Sequence, residues 1–159
     1  MSSLTSTAID LADLRSPILR TGYDYWLGKK GERAFPARGD FDPLVEMPRL
    51  SGNIMLLDVR RDPLDFRYRL VGVKLREHMG ENWQGRWWSE IESQRPPNPI
   101  WLHHQWVVEN RLPRFIRPNY VGPHKEFMFI ESAVLPLGED PQRVDMLMLF
   151  VDFLSMTGR

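Results

Sequence analysis

The chain contains no cysteine among its 159 residues. That absence excludes disulfide bonds, thiolate nucleophiles, cysteine-ligated metal clusters and the photochemistry in which a flavin bonds to a cysteine. It is typical of proteins from a reducing compartment. Any chemistry of this chain must therefore come from its other side chains.

The sequence also lacks a net charge, a long apolar run and a secretory leader. Lys plus Arg and Asp plus Glu both number 21, so nothing attracts the whole chain to nucleic acid or to an anionic membrane. No apolar stretch reaches the roughly 18 residues of a membrane span, and no basic region precedes an apolar one at the N-terminus. A basic stripe for nucleic acid is not predicted either, because the spacing of Arg111, Arg114 and Arg117 places them on different faces of a strand. We therefore expect a cytoplasmic protein that neither spans a membrane nor binds nucleic acid.

A helix signal is present near the N-terminus. Ser16 is a good N-cap, and Pro17 fits the first helical position. We predict an amphipathic helix over about residues 16–30, which must pack on another surface. Its apolar stripe includes the side chains of Tyr23, Trp26 and Leu27.

A polar stretch rich in Pro and Gly, GERAFPARGDFDP, follows this helix. Such composition is typical of a linker. We therefore divide the chain into an N-terminal segment, residues 1–34, and a second domain, residues 35–159.

β patterns dominate after this linker. Phe66 and Tyr68 alternate with Arg67 and Arg69, as in a strand with one buried face, and FRYRLVGVKLREHMG turns at once into a helical period. Residues 146–151 are continuously apolar, which is typical of a strand that is covered on both faces. The order helix, two strands, short helices, helix and three strands predicts an α+β fold.

Three stretches resemble one family: YDYWLGKKGERAFPARGDFDPLVEMPRLSGNIMLLDV, FRYRLVGVKLREHMGENWQGRWWSEI and YVGPHKEFMFIESAVLPL with VDMLMLFV. They resemble the PAS domain, and more closely the bacterial single-domain PAS group found mainly in alphaproteobacteria, formerly a domain of unknown function. The resemblance implies a five-stranded antiparallel sheet with short helices on one face and the N-terminal helix outside the core. It implies a sensory or protein-interaction module in bacterial signalling and specifies no cofactor. Because Trp87-Trp88 is bulkier than the family pattern, we expect a small cavity.

Asn98 and Pro99 form a second cap-and-proline start, which predicts a helix through about Asn110 that places His104 within an apolar stripe. In a PAS-like fold this stripe faces the sheet, where ligands lie. One interpretation is a ligand-orienting or heme-ligating histidine; the simpler one is a buried histidine with one hydrogen bond to the backbone. The candidate contacts for a small apolar ligand are His104, Trp101, Val108, Trp88 and Tyr68, although Trp-rich clusters are more often core.

No catalytic or metal-binding motif is present. The sequence contains no P-loop, no dinucleotide fingerprint, no H-E-x-x-H and no G-x-S-x-G. The adjacent His103 and His104 diverge by about 100° on a helix, which does not suit a shared metal. We therefore expect a non-enzymatic protein without a metal site, and keep a heme-type sensor and a small enzyme of unknown class as alternatives.

Self-association is the remaining expectation. A sheet covered on both faces needs a second layer, which the N-terminal helix or a partner chain must supply. We predict a homodimer formed through the outer sheet face and the helix carrying Tyr23, Trp26 and Leu27. The sequence does not identify a signalling partner.

Overall fold

One antiparallel sheet organises the residues that the computed structural model describes, 6–118 and 128–155. The strands in these ranges are β1 (Ser6–Ile9), β2 (Ile54–Arg60), β3 (Asp65–Val71), β4 (Arg114–Pro118), β5 (Met128–Leu137) and β6 (Met146–Ser155). The α-helices are α1 (Pro17–Lys30), α2 (Pro43–Glu46), α3 (Val73–Met79) and α4 (Pro99–Asn110). Short 3-10 helices lie at Leu11–Asp13, Arg38–Asp40, Ser51–Asn53, Trp88–Glu90 and Glu92–Gln94.

The strands lie in the order β1-β4-β5-β6-β2-β3. The apolar run at 146–151 therefore occupies an interior strand, β6, which pairs with β5 on one side and β2 on the other. Each interior strand is antiparallel to both neighbours, and the helices cover both faces. The predicted α+β fold with a central, doubly covered C-terminal strand is confirmed.

The sheet has one strand more than the five that we expected. β1 pairs antiparallel with β4, with Ser6 opposite Pro118 and Ile9 opposite Phe115. The segment STAI carries no strong strand pattern of its own. Because its partner lies more than 100 residues further along the chain, local periodicity could not reveal this strand.

The other edge of the sheet is β3, and a loop shields part of it. The backbone N–H of Tyr68 donates to the carbonyl of Arg86 (3.0 Å), and the N–H of Gly85 donates to the carbonyl of Tyr68 (2.6 Å). The N–H of Val71 donates to the Gln84 side chain at 3.1 Å. Several backbone groups on the outward side of β3 are thus already paired.

The turn from β3 into α3 is sharp, as FRYRLVGVKLREHMG suggested. Gly72 lies between strand and helix, and a side chain there would collide with the carbonyl of Gly52. The predicted alternation also holds: Arg67 points away from the core and forms a 2.8 Å salt bridge with Asp58. Glycine is needed at position 72 because two backbone segments pass close together there.

Helix α4 covers the inner face of the sheet. Its N-cap is Asn98, whose side-chain oxygen accepts from the N–H of Ile100 at 2.8 Å, and Pro99 begins the helix. The apolar stripe is buried, and the helix contacts β4 and β5. The predicted cap, the helix bounds and the buried stripe are confirmed.

Helix α1 covers the outer face, against β5 and β6. Ser16 caps it by accepting from the N–H of Leu19 at 3.1 Å. Trp26 is 1% exposed, and its indole N–H donates to the carbonyl of Pro136 at 3.0 Å. Gly22 lies directly on the ring of Phe150, with no room for a side chain. The helix can approach the strands closely because this contact position is a glycine.

A buried carboxylate fastens the start of α1 to the sheet. Glu131 of β5 is 0% exposed and accepts from the backbone N–H groups of Arg15 and Ser16 at 2.9 and 2.8 Å. The Arg117 guanidinium lies 2.6 Å from the same carboxylate. The Ser16 hydroxyl also donates to Asp152 at 2.6 Å. Because a buried charge is tolerated only when it is paired, this network fixes where α1 begins.

No helix in the described ranges is both long enough and apolar enough to span a bilayer.

Candidate ligand cavity

A cavity of about 180 Å³ lies between the inner face of the sheet and the helices α3 and α4. Strands β2 to β6 supply its floor, and the segment around Trp88 closes one side. Its lining side chains are those of Met55, Tyr68, Leu75, Met79, Trp83, Trp88, Gln94, Ile100, His104, Ile116, Pro118, Ile130, Ser132, Leu149, Val151 and Phe153. The lining is almost entirely apolar or aromatic, which is typical of small-molecule sites.

Three buried residues of the lining carry polar atoms without partners. Within residues 6–118 and 128–155, nothing hydrogen-bonds to either ring nitrogen of His104, the indole N–H of Trp88 or the hydroxyl of Ser132. All three residues are at most 3% exposed. An unpaired buried polar group costs about 1–3 kcal/mol. Three such residues therefore lie around one cavity at a cost to the stability of the described part of the chain.

Strand alternation and the helical period bring these residues together. Ser132 follows Glu131 on β5, so its side chain points to the opposite, inner face, beside Ile116 of β4. His104 lies in the middle of the buried stripe of α4. The ring centroids of His104 and Trp88 are 4.9 Å apart.

Trp88 is held by a carboxylate at the start of β3. The hydroxyl and N–H of Ser89, the next residue, donate to Asp65 at 2.6 and 3.1 Å. Asp65 is buried and forms a 2.9 Å salt bridge with Arg60. The short helix Trp88–Glu90 is thereby fixed against β3, and with it the indole that forms one wall of the cavity.

Burial keeps the His104 imidazole uncharged. Removal from water, with a smaller effect of the neighbouring His103, lowers the pKa of His104 from 6.5 to about 3. At neutral pH the ring therefore offers one N–H donor and one nitrogen acceptor. The ring therefore carries no charge that would attract an anion.

Tyr68 is a polar residue of the cavity wall whose hydroxyl has a partner. Its hydroxyl donates to the side-chain oxygen of Gln94 at 3.2 Å, and burial raises the pKa of Tyr68. Its ring packs at an angle of 31° against Trp88. Tyr68 therefore stays protonated and supplies an aromatic surface.

Three of the five predicted contact residues meet at the cavity: His104, Trp88 and Tyr68. Trp101 and Val108 do not line it. Trp101 instead packs edge-on against Phe66, at 5.0 Å between ring centroids, and supports the wall from behind. The backbone hydrogen bond that the simpler interpretation gave to His104 does not form among the described residues.

Sequence reasoning missed Ser132 and Gln94. A signal for Ser132 was present, since it interrupts the apolar face Ile130, Ser132, Val134 at the spacing of a strand. A hydroxyl on such a face needs an explanation. Gln94 lies in the irregular Trp-rich connector, where no period predicts which side chain points inward.

The described part of the chain contains no group of three or more His, Asp or Glu side chains that could hold a metal ion.

The predicted dimer residues lie on α1, but they do not share one surface. Trp26 packs onto its own sheet, whereas Leu27 is 37% exposed. Tyr23 is half-buried and contacts Phe115 edge-on, with ring centroids 5.1 Å apart. The second layer of the sheet is thus supplied by the chain's own helix, and Leu27 is the residue of the three that faces outward.

An antiparallel sheet with helices on both faces, and a cavity between one face and helices α3 and α4, defines a small α+β domain. A family model described as "PAS domain" matches residues 14–114, more than half of the chain. The chain belongs to the PAS domain family, and the predicted resemblance is confirmed. No curated protein and no solved structure matches it. Members of this family generally act as sensory or interaction modules.

Proposed function

We propose that this chain is a non-enzymatic sensory module that binds a small molecule in the cavity under α4. The observation that supports this is the group of unpaired polar atoms on His104, Trp88 and Ser132. A protein stabilised only for its fold gains nothing from leaving them unpaired, since apolar residues of similar shape fill such positions without that cost.

Sensing requires that the ligand favours one arrangement of the domain over another. The cavity is formed jointly by the sheet and by α3 and α4, so an occupant contacts elements that pack against one another. A change in how α4 packs on the sheet would alter the surface that a partner protein binds. The bacterial signalling role, the partner and the cytoplasmic location remain predictions.

The test is native mass spectrometry of the protein as purified, followed by the same measurement on His104→Leu. We expect an added mass on part of the wild-type population and its loss in the variant. His103→Leu is the matched control, because His103 is the neighbouring residue and does not line the cavity. A bound mass that persists unchanged in His104→Leu would contradict this assignment of the site.

Self-association through α1 remains part of the proposal and is now centred on its outward residue, Leu27. Leu27, with Tyr23 beside it, would contact a second copy, while Trp26 is occupied within the chain. Light scattering on the intact protein and on Leu27→Asp measures this, and we expect a dimer that the substitution weakens. A wild-type protein of monomeric mass would remove the dimer from the proposal.

A heme-type sensor is the alternative with less support from the size of this cavity. A macrocycle of four pyrrole rings needs several times the space of a single ring, and about 180 Å³ only slightly exceeds the roughly 150 Å³ cavity that accommodates benzene. Heme titration should therefore give no Soret shift. A small enzyme has no supporting observation, since no lining side chain in the described ranges is a carboxylate that would orient His104.

A further inference from the structure

The outer face of the sheet extends beyond the helix that covers its centre. Helix α1 packs on β5 and β6, and β2 and β3 continue the sheet on the far side of β6. On these two strands Asp58 lies opposite Arg67, and Arg60 lies opposite Asp65. Residues paired across a ladder point to the same side of a sheet, and Arg67 points away from the core. These paired side chains therefore lie on the outer face.

Three arginine side chains give this part of the face its charge. The side chains of Arg60, Arg67 and Arg69 are 48, 36 and 59% exposed. The carboxylates that accompany them are less accessible, since the side chain of Asp58 is 17% exposed and that of Asp65 is 2% exposed. A molecule that approaches β2 and β3 from outside therefore meets mainly positive charge.

A tryptophan holds two of these guanidinium groups in place. The guanidinium carbons of Arg60 and Arg67 lie over the ring of Trp87, at 4.0 and 5.1 Å from its centre, within the range of a cation–π contact. The backbone of Trp87 forms a bridge with Arg67, and its N–H donates to the Glu90 carboxylate at 3.1 Å. Groups held in this way lose less freedom when a partner binds, and Arg and Trp are enriched among the residues that contribute most to interfaces.

The carboxylates of this face cannot occupy all the donors of the arginines. Three guanidinium groups have about fifteen N–H donors, whereas two carboxylates offer about eight acceptor sites. Asp65 also accepts from the N–H and the hydroxyl of Ser89, and Asp58 is shared between Arg67 at 2.8 Å and Arg69 at 3.8 Å. Further carboxylates can therefore bind here, and their planar geometry matches that of the guanidinium group.

We propose that the surface formed by Arg60, Arg67, Arg69 and Trp87 binds an acidic segment of a partner protein, whose Asp or Glu carboxylates pair with the arginines. Charge complementarity favours this partner. A nucleic acid fits less well, because Asp58 lies within the surface and repels phosphates, and because three arginines form a compact cluster that is shorter than a nucleic-acid-binding stripe. The inference goes beyond the proposed ligand binding and does not depend on it, since this surface and the cavity lie on opposite faces of the sheet.

Three probes test the chemistry of the partner: a peptide of four Glu-Ser repeats, a peptide of four Gln-Ser repeats and a thymidine pentanucleotide with four phosphates. Each is titrated into the full chain at pH 7 and about 100 mM salt, while the backbone amide and indole N–H signals are followed by NMR. We expect the Glu-Ser peptide to bind with a Kd of about 1 mM or lower and to shift the signals of Arg67 and of the Trp87 indole. We expect the other two probes to bind at least about tenfold more weakly.

Substitutions locate the binding. Arg60→Gln and Arg67→Gln should each weaken binding of the Glu-Ser peptide about tenfold, the effect of one lost hydrogen bond between charged groups. Asp58→Asn should strengthen it at least about threefold, because it removes a competing carboxylate beside Arg67 and Arg69. A variant that folds poorly cannot produce this gain. Arg76→Gln, which changes an exposed arginine of α3, is the matched control and should leave binding unchanged.

Several outcomes would overturn the inference. Peptide binding that survives both arginine substitutions, that weakens in Asp58→Asn or that leaves the Trp87 signal unshifted would place the contact elsewhere. Equal binding of the Gln-Ser peptide would show that charge does not select the partner. Equal binding of the oligonucleotide would make the partner a nucleic acid, and a dimer lost in Arg67→Gln by light scattering would make it a second copy of this chain. None of these results bears on the ligand cavity, which native mass spectrometry tests separately.

Discussion

Replacing His104 with leucine should make the ligand-free protein more stable. Leucine has a similar volume, removes both unpaired ring nitrogens and fits the apolar stripe of α4. The gain of about 1–3 kcal/mol from removing an unsatisfied buried polar group is reduced by losing ring contacts with Phe66 and Trp88, at 5.5 and 4.9 Å between centroids. Such aromatic contacts contribute about 0.5–1.5 kcal/mol. We expect a net gain of about 1 kcal/mol at pH 7.

The pH dependence of this difference is the sharper measurement. The pKa of His104 falls from 6.5 to about 3 on folding, so between these values the unfolded chain binds a proton that the folded chain does not. The part of the folding stability that depends on an uncharged His104 is therefore fully present above pH 6.5 and is lost as the pH falls toward 3. At 1.36 kcal/mol per pH unit, the wild type should lose roughly 3 kcal/mol from this residue by pH 4.5, and the leucine variant should lose none of it.

Urea unfolding of both proteins at pH 7.5 and pH 4.5 gives the difference in unfolding free energy between variant and wild type at each pH. Other titrating groups, such as Glu46, whose pKa the Lys29 ammonium and further hydrogen bonds lower to about 2, contribute equally to both proteins and cancel. We expect the stability advantage of His104→Leu to grow from about 1 to about 4 kcal/mol on acidification. A variant that is less stable than the wild type at pH 7.5, with no growth at pH 4.5, would show that His104 has a structural hydrogen bond and would refute the reasoning.

Three further substitutions test how the helices are attached. Gly22→Ala places a Cβ 2.5 Å from the ring of Phe150 and should lower the stability measured by thermal unfolding by about 1–3 kcal/mol. Gly28→Ala in the same helix, where a Cβ meets no atom within 4 Å, is the control and should raise the stability by up to about 1 kcal/mol. Equal effects of the two substitutions would mean that α1 does not pack on β6. Glu131→Ala should cost roughly 3 kcal/mol and raise hydrogen exchange in α1 more than in α4, and uniform exchange would contradict its role as the anchor. Asn98→Ala should cost about 1 kcal/mol by urea unfolding, and an unchanged stability would mean that the cap is not needed.

The sequence predicted the elements that carry their own local signal. Caps at Ser16 and Asn98 and a stripe at helical spacing are sufficient to place α1 and α4. The continuous apolar run at 146–151 is sufficient to place β6 inside the sheet, because only a doubly covered strand excludes polar residues from both faces.

What the sequence could not predict depends on contacts between distant segments. β1 is a strand because β4 offers it an edge, and nothing in its own residues requires that pairing. The stripe containing Trp26 showed that α1 must be buried, but not whether its own sheet or a second chain would cover it. The unpaired state of His104 is likewise invisible in sequence, since hydrogen-bond partners come from elements brought together only by folding.

The two borders of the sheet restrict how copies of this chain can meet. Exposed strand borders invite pairing with a neighbouring molecule. Here one border is the four-residue β1, too short to template a long ladder, and at the other the loop around Gly85 and Arg86 occupies backbone groups of β3. Within the described residues, little strand edge is therefore left for a second copy to pair with, and contacts between copies would have to use side chains on the helices and on the sheet faces, where a single substitution can change them.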